Sequence, residues 1–120
     1  MSLPNVIERW SRVFEGSFDL DEYKTLFTED VSFRDAGTGQ SSNRLSDLVE
    51  FARAFTQLSD GSVKMLRHAR SGDDVFVEVE YTAKAPTGDR ITSRGVAIFT
   101  VTEGKISAVT TYMFREGIKT

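Results

Sequence analysis

Residues 91–102, ITSRGVAIFTVT, and residues 105–114, KISAVTTYMF, decide the fold. Both runs are rich in Val, Ile, Thr, Phe and Tyr, and both alternate apolar with polar positions. They flank a tight Thr102-Glu103-Gly104-Lys105 turn, so they read as one long antiparallel hairpin. Each run is about twice the usual strand of roughly five or six residues. Strands of that length bend, and a bent sheet with helices packed on it encloses a cavity. The hairpin therefore predicts a cup for a small molecule.

Working back from the hairpin, the chain is all strand as far as Val63. Val63 to Arg70 leads into a Ser71-Gly72-Asp73-Asp74 turn, then Val75 to Ala85, then a Pro86-Thr87-Gly88-Asp89 turn. The inward positions are Val75, Val77, Val79 and Tyr81, then Ala97, Phe99 and Val101, then Val109, Thr111 and Met113. They describe an apolar wall with few polar groups. Upstream the period is helical. Val6, Trp10, Val13 and Phe14 predict a first helix over residues 4–15, stopped by Gly16. Asp19 is placed to cap a second helix, with Glu22 completing a capping box and Phe18 stapling onto Tyr23. Leu20, Tyr23 and Phe27 share its buried face. After Asp30 the period becomes two, with Val31, Phe33 and Asp35 on one face and Ser32 and Arg34 on the other. AGTGQSSN, residues 36–43, reads as a flexible loop. Ser46 then caps a third helix that buries Leu48, Phe51, Ala52, Phe55 and Leu58. Helices early and strands late mean an α+β fold: three N-terminal helices on a strongly curved, mostly antiparallel sheet, cone-shaped around an apolar pocket.

The 120 residues make one domain, 1–120, able to bury roughly two-thirds of its unfolded surface. There is no cysteine and a single histidine, so thiol chemistry is excluded, and neither cofactor nor metal is expected. No apolar run approaches the roughly 20 residues of a membrane span, and nothing resembles a signal peptide. The expected compartment is the cytoplasm, with no membrane partner. A net charge of −3 argues against nucleic acid as a partner. The basic run Lys64, Arg67, His68 and Arg70 reads as a solvated strand face.

With these elements placed, the chain resembles the SnoaL-like polyketide cyclases and ketosteroid isomerases of the nuclear-transport-factor-two-like superfamily. LFTEDVSFRDAGTG, residues 26–39, is similar to that family's helix-to-strand passage ending in an acid before a Gly-containing loop. RGVAIFTVTEGKISAVTTYMF, residues 94–114, is similar to its closing hairpin. The resemblance implies that Asp35 stands where ketosteroid isomerases keep their proton-shuttling carboxylate. It also implies two donors for an enolate, and those positions hold Ala97 and Arg9 or Trp10 here. The cyclase-type aromatic pair followed by Asp reads Tyr112-Met113-Phe114.

Asp35 is therefore the candidate catalytic residue, at the rim of an apolar cavity where desolvation favours general acid–base work. The alternative is that it closes its strand by bonding to the backbone of Ala36-Gly37. Arg67 shares a predicted face with Val63 and Met65 and would need Asp35 or an anionic ligand group as partner. Trp10, Phe14, Tyr23, Phe27, Phe33, Phe55, Arg67, Val79, Phe99 and Met113 are the expected ligand contacts, around a small apolar or aromatic molecule. Two functions follow: an acid/base isomerase, cyclase or dehydratase on a small apolar carbonyl compound, or a non-catalytic ligand-binding or dimerisation module. On the outer sheet face Val96, Ile98, Ile106, Ala108 and Tyr112 form an apolar stripe, rimmed by Glu78, Glu80 and Lys84. That stripe predicts a homodimer.

Overall fold

Pro4, with φ −56° and ψ 141°, sets the chain up for its first helix, α1, Asn5–Arg12. The computed structural model describes residues 3–116. Val6 and Ile7 of α1 are buried, as are Val13 and Phe14 in the turn that follows. The helix is shorter than its periodicity predicts because Gly16, at φ 68°, turns the chain away. Gly16 and Gly61 then exchange both backbone hydrogen bonds at 2.8 Å, stitching the end of α1 to the sheet. A Cβ on Gly61 would overlap the Phe14 carbonyl oxygen, so only glycine lets the two segments approach.

Helix α2, Leu20–Tyr23, is capped as expected: the Asp19 carboxylate accepts from Glu22 N at 3.0 Å. The reciprocal half of the capping box is absent. Glu22 reaches instead to Arg9, 3.2 Å away, and tethers α2 to α1. Phe18 staples onto Tyr23 with ring centroids 5.1 Å apart. One tight helical turn later the chain enters β1, Phe27–Asp35, earlier than the change of period suggests. The predicted loop 36–43 holds a two-residue strand, β2, Ser41–Ser42, paired with Phe33 and Arg34. Helix α3, Leu45–Ala52, starts from Arg44 rather than Ser46. The Ser42 hydroxyl organises that start, meeting Asp47 at 2.9 Å and the Arg44 amide at 3.2 Å. Leu48 and Ala52 are buried, whereas Phe51 is 36% exposed.

The remaining strands are β3, Ser59–Ser71, β4, Asp74–Lys84, β5, Arg90–Thr102, and β6, Lys105–Glu116. The six-stranded sheet runs β2-β1-β6-β5-β4-β3. Among these pairs β1 with β6 is parallel and the others are antiparallel. Two inward rows cross the sheet: Phe33, Val109, Phe99 and Val75 in one, Asp35, Thr111, Ala97 and Val77 in the next. Val75, Val77, Ala97, Phe99 and Val109 are buried, so the helices cover this face. Burying a side chain such as Phe99 contributes about 1.5–3 kcal/mol.

Two bulges change which way side chains point. Met65 faces Val79 and Arg67 faces Glu78, so Leu66 is an extra residue in β3. Arg67 is thereby turned to the outer face, away from Val63 and Met65, which corrects the simple alternation. Thr100 faces Ala108 and Val101 faces Ile106, making Ser107 the extra residue in β6. Ile106 is consequently fully buried, and the expected outer stripe loses it.

Candidate functional site

The expected cup is filled from within. Phe14 is its hub, with ring centroids 5.1–6.1 Å from Trp10, Phe18, Tyr23, Phe55 and Tyr81. Trp10 also packs edge-on against Phe99 at 4.9 Å, and Tyr23 meets Phe27 at 4.8 Å. Val79 is buried in the same core. Such edge-to-face contacts each add about 0.5–1.5 kcal/mol beyond burial. Six of the aromatic residues expected to contact a ligand thus contact one another. Burial raises the Tyr81 phenol from its ordinary 10 to about 12 and pushes Tyr23 up as well. Both phenols stay neutral at physiological pH.

Two depressions mark the surface away from this core. One, of about 470 Å³, lies by α1 and α2 and is lined by Arg9, Arg12, Val13, Glu15, Ser17, Asp19 and Glu22. The other, of about 360 Å³, is lined by Arg67, His68, Ala69, Phe76, Glu78 and Val96. Asp35 borders neither.

Asp35 ends β1 on the inward face and is half-buried, as its alternation with Val31 and Phe33 predicts. Its hydrogen bonds come from its own turn: Gly37 N donates to Oδ1 at 3.0 Å and the Thr38 hydroxyl to Oδ2 at 3.1 Å. The backbone tightens the same turn, with Gly39 N donating to Asp35 O and Asp35 N to Gln40 O, both at 2.8 Å. This is the strand-closing geometry that an Asp before Gly favours. Arg67 is far from being its partner. It ion-pairs with Glu78 at 2.6 Å on the outer face, where its side chain is 83% exposed.

Beside Asp35 the inward face carries Phe33, Thr111 and Met113, all half-buried. Phe33 stacks at a tilt on Phe51 of α3, centroids 5.6 Å apart. Phe51 and Thr38 are the two neighbours that the sequence reading did not select. Phe51 follows Leu48 at helical spacing, which marked it as core; Thr38 lies in the stretch 36–43 that reads as a flexible loop. The structure thus places Asp35, Phe33 and Met113 near one another on the inward face, packs the other aromatics into the core, and sends Arg67 to the outer face.

On the outer face, Val96 faces Tyr112 and Glu78, while Ile98 faces Thr110 and Phe76. Phe114 is 76% exposed, Tyr112 45% and Phe76 38%. The rim charges pair within the chain, Arg67 with Glu78 and Arg94 with Glu80, while Lys84 meets Asp60.

The SnoaL-like domain family model matches residues 7–109. No curated protein matches the chain in sequence. Solved structures do. The Δ5-3-ketosteroid isomerase from Mycobacterium sp. superimposes with a TM-score of 0.75 at 18% identity, covering 92% of this chain and 95% of that one. A Mycobacterium tuberculosis LEH-like epoxide hydrolase gives 0.78 at 16% identity, over 92% and 81% of the two chains. A candidate SnoaL-like polyketide cyclase from Jannaschia sp. CCS1 gives 0.74 at 18%, over 90% and 82%. At these identities the likeness is one of fold. Among the described residues no helix is long and apolar enough to cross a membrane.

Proposed function

The chain belongs to the SnoaL-like domain family, and from that premise we propose a small-molecule-binding protein in which Asp35 is a turn residue rather than a proton carrier. One observation carries this reading. Both oxygens of Asp35 are engaged by Gly37 and Thr38 of its own turn, and no second polar side chain outside that turn bonds to it among the described residues. An enzyme that moves a proton needs a free carboxylate and a donor for the developing oxyanion. The donor position that the family resemblance implies is Ala97, 1% exposed and apolar. In this reading the ligand is met by Phe33, Phe51 and Met113, the partly exposed apolar residues on the side of Asp35. Its body is small and apolar or aromatic.

The second reading is an acid/base isomerase, cyclase or dehydratase acting on a small carbonyl compound. Its support is that Asp35 is half-buried on the inward face, in the row of Thr111 and Ala97. It requires Asp35 to leave its turn when substrate arrives. The two readings part on one substitution series. Asn keeps the Gly37 bond through its Oδ1 and can donate from Nδ2 to the Thr38 hydroxyl, so Asp35→Asn should keep most of the stability of the parent, while Asp35→Ala should lose about 1 kcal/mol. NMR titration of Asp35→Asn with neutral small aromatic compounds should still shift the amides of Phe33, Phe51 and Met113. Absence of such shifts in both the parent and the variant would remove the binding role.

The protein also pairs as a homodimer through the outer face, in this proposal, and works in the cytoplasm. The exposed Phe76, Tyr112 and Phe114, with the half-buried Val96, Ile98 and Ala108 between them, support the pairing, since monomers rarely leave such a contiguous stripe in water.

A further inference from the structure

The depression beside α1 and α2 is walled by groups that are held in place. Asp19 N donates to Val13 O at 3.0 Å and closes the loop between the two helices. Gly16 in that loop is clamped to Gly61, and Glu15 Oε1 accepts from Val63 N at 3.2 Å. Arg9 donates to Glu22 at 3.2 Å and to Thr25 at 3.1 Å. With buried Val13 in its lining, the depression of about 470 Å³ has the size of a small-molecule site. We infer that it binds a small zwitterion, an α-amino acid or a compound of like charge pattern, with a carboxylate and an ammonium group joined through one carbon.

The charges that line the depression select that class. Arg9 and Glu22 neutralise each other as an ion pair. The Arg9 hydrogen bond, helped by that of Thr25 and by the charges of Arg9 and Arg12, holds the Glu22 carboxyl below its ordinary range. The Arg12 guanidinium makes no hydrogen bond or ion pair among the described residues, although Glu22 feels its charge. Its five N–H donors suit a carboxylate. Glu15 and Asp19 each commit one oxygen to a backbone N–H, of Val63 and Glu22, and keep the other for a donor. A simple anion would meet two carboxylates beside Arg12, and a simple cation would meet the guanidinium. A zwitterion answers both signs at once. Arg12, Glu15 and Asp19 are exposed, and exposed ion pairs are weak singly, but two carried on one molecule act together.

The test is an amide NMR titration that compares L-alanine with its two halves, acetate and ethylammonium, at equal ionic strength and neutral pH. L-Alanine should shift the amides of Glu15, Ser17 and Asp19 and bind at least about threefold more tightly than either half. Arg12→Gln should lower its affinity to that of ethylammonium. Asp19→Asn keeps the cap of α2, since Asn caps a helix as well as Asp does, and should weaken L-alanine without weakening acetate. Either half binding as tightly as L-alanine would overturn the zwitterion assignment, as would the absence of shifts with all three. L-Alanine binding that Arg12→Gln leaves unchanged would overturn it too, by showing that the contact lies elsewhere.

Discussion

At the scale of single residues, environment rather than identity decides what each polar group can do. Tyr81 sits against Phe14 and Phe55, and that burial holds its phenol at about 12. The unfolded chain releases this proton near pH 10, before the folded one does. Stability contributed by the neutral phenol is complete below pH 10 and is lost as the pH rises towards 12. Tyr23 shifts in the same direction and adds to the effect. Absorbance at 295 nm should therefore show Tyr81 ionising together with loss of near-ultraviolet circular dichroism. Tyr81→Phe should move that loss to higher pH, and an unchanged midpoint would show that Tyr81 is not its source. Asp35 illustrates the same lesson from the other side. Its place on the inward face was legible from its alternation with Val31 and Phe33. Its two turn partners were only half legible, because Asp-Ala-Gly signals a turn while nothing local reveals what else approaches the carboxylate.

At the scale of elements, alternation served well wherever strands are regular and failed at the bulges. Val75, Val77 and Val79 point inward as the period of two requires. Arg67 and Ile106 do not follow it, because Leu66 and Ser107 each insert an extra residue. Neither inserted residue is a glycine or proline, so the sequence carries no mark of the change. Long-range stitching was equally hidden. Gly16 read as a helix stop, but its bond to Gly61 across the fold fixes where α1 ends. That contact gives a sharp expectation. Gly61→Ala forces a Cβ into the Phe14 carbonyl and should cost about 1–3 kcal/mol, as overpacking typically does. Gly72→Ala provides the contrast, since open space surrounds that position and only its φ of 59° is strained. Chemical denaturation should rank Gly61→Ala as the more damaging of the two. The reverse order would mean that α1 is not held by this junction.

For the whole molecule, the sheet divides the protein into two surfaces of different character. Its inward face is covered by helices and filled by aromatic rings, with Asp35 at the end of β1 on that face. Its outer face presents Phe76, Tyr112 and Phe114 to water, with Ile98 half-buried among them. Val96 and Ile98 lie at the middle of that stripe, so a twofold axis near β5 would cover both copies at once. Sedimentation equilibrium at micromolar concentration should find a dimer of the 13.4 kDa chain, and Ile98→Glu should dissociate it. A monomeric parent protein would leave the stripe without this role. The central claim, that the protein binds a small molecule without moving protons, has a direct measurement of its own. Small enolisable ketones and β,γ-unsaturated ketones are incubated with the protein in deuterated water, and loss of their α-proton NMR signals is followed over time. The account predicts that the parent and Asp35→Asn both leave exchange at the rate of buffer alone. Accelerated exchange by the parent, abolished by Asp35→Asn, would contradict it and establish Asp35 as a catalytic base.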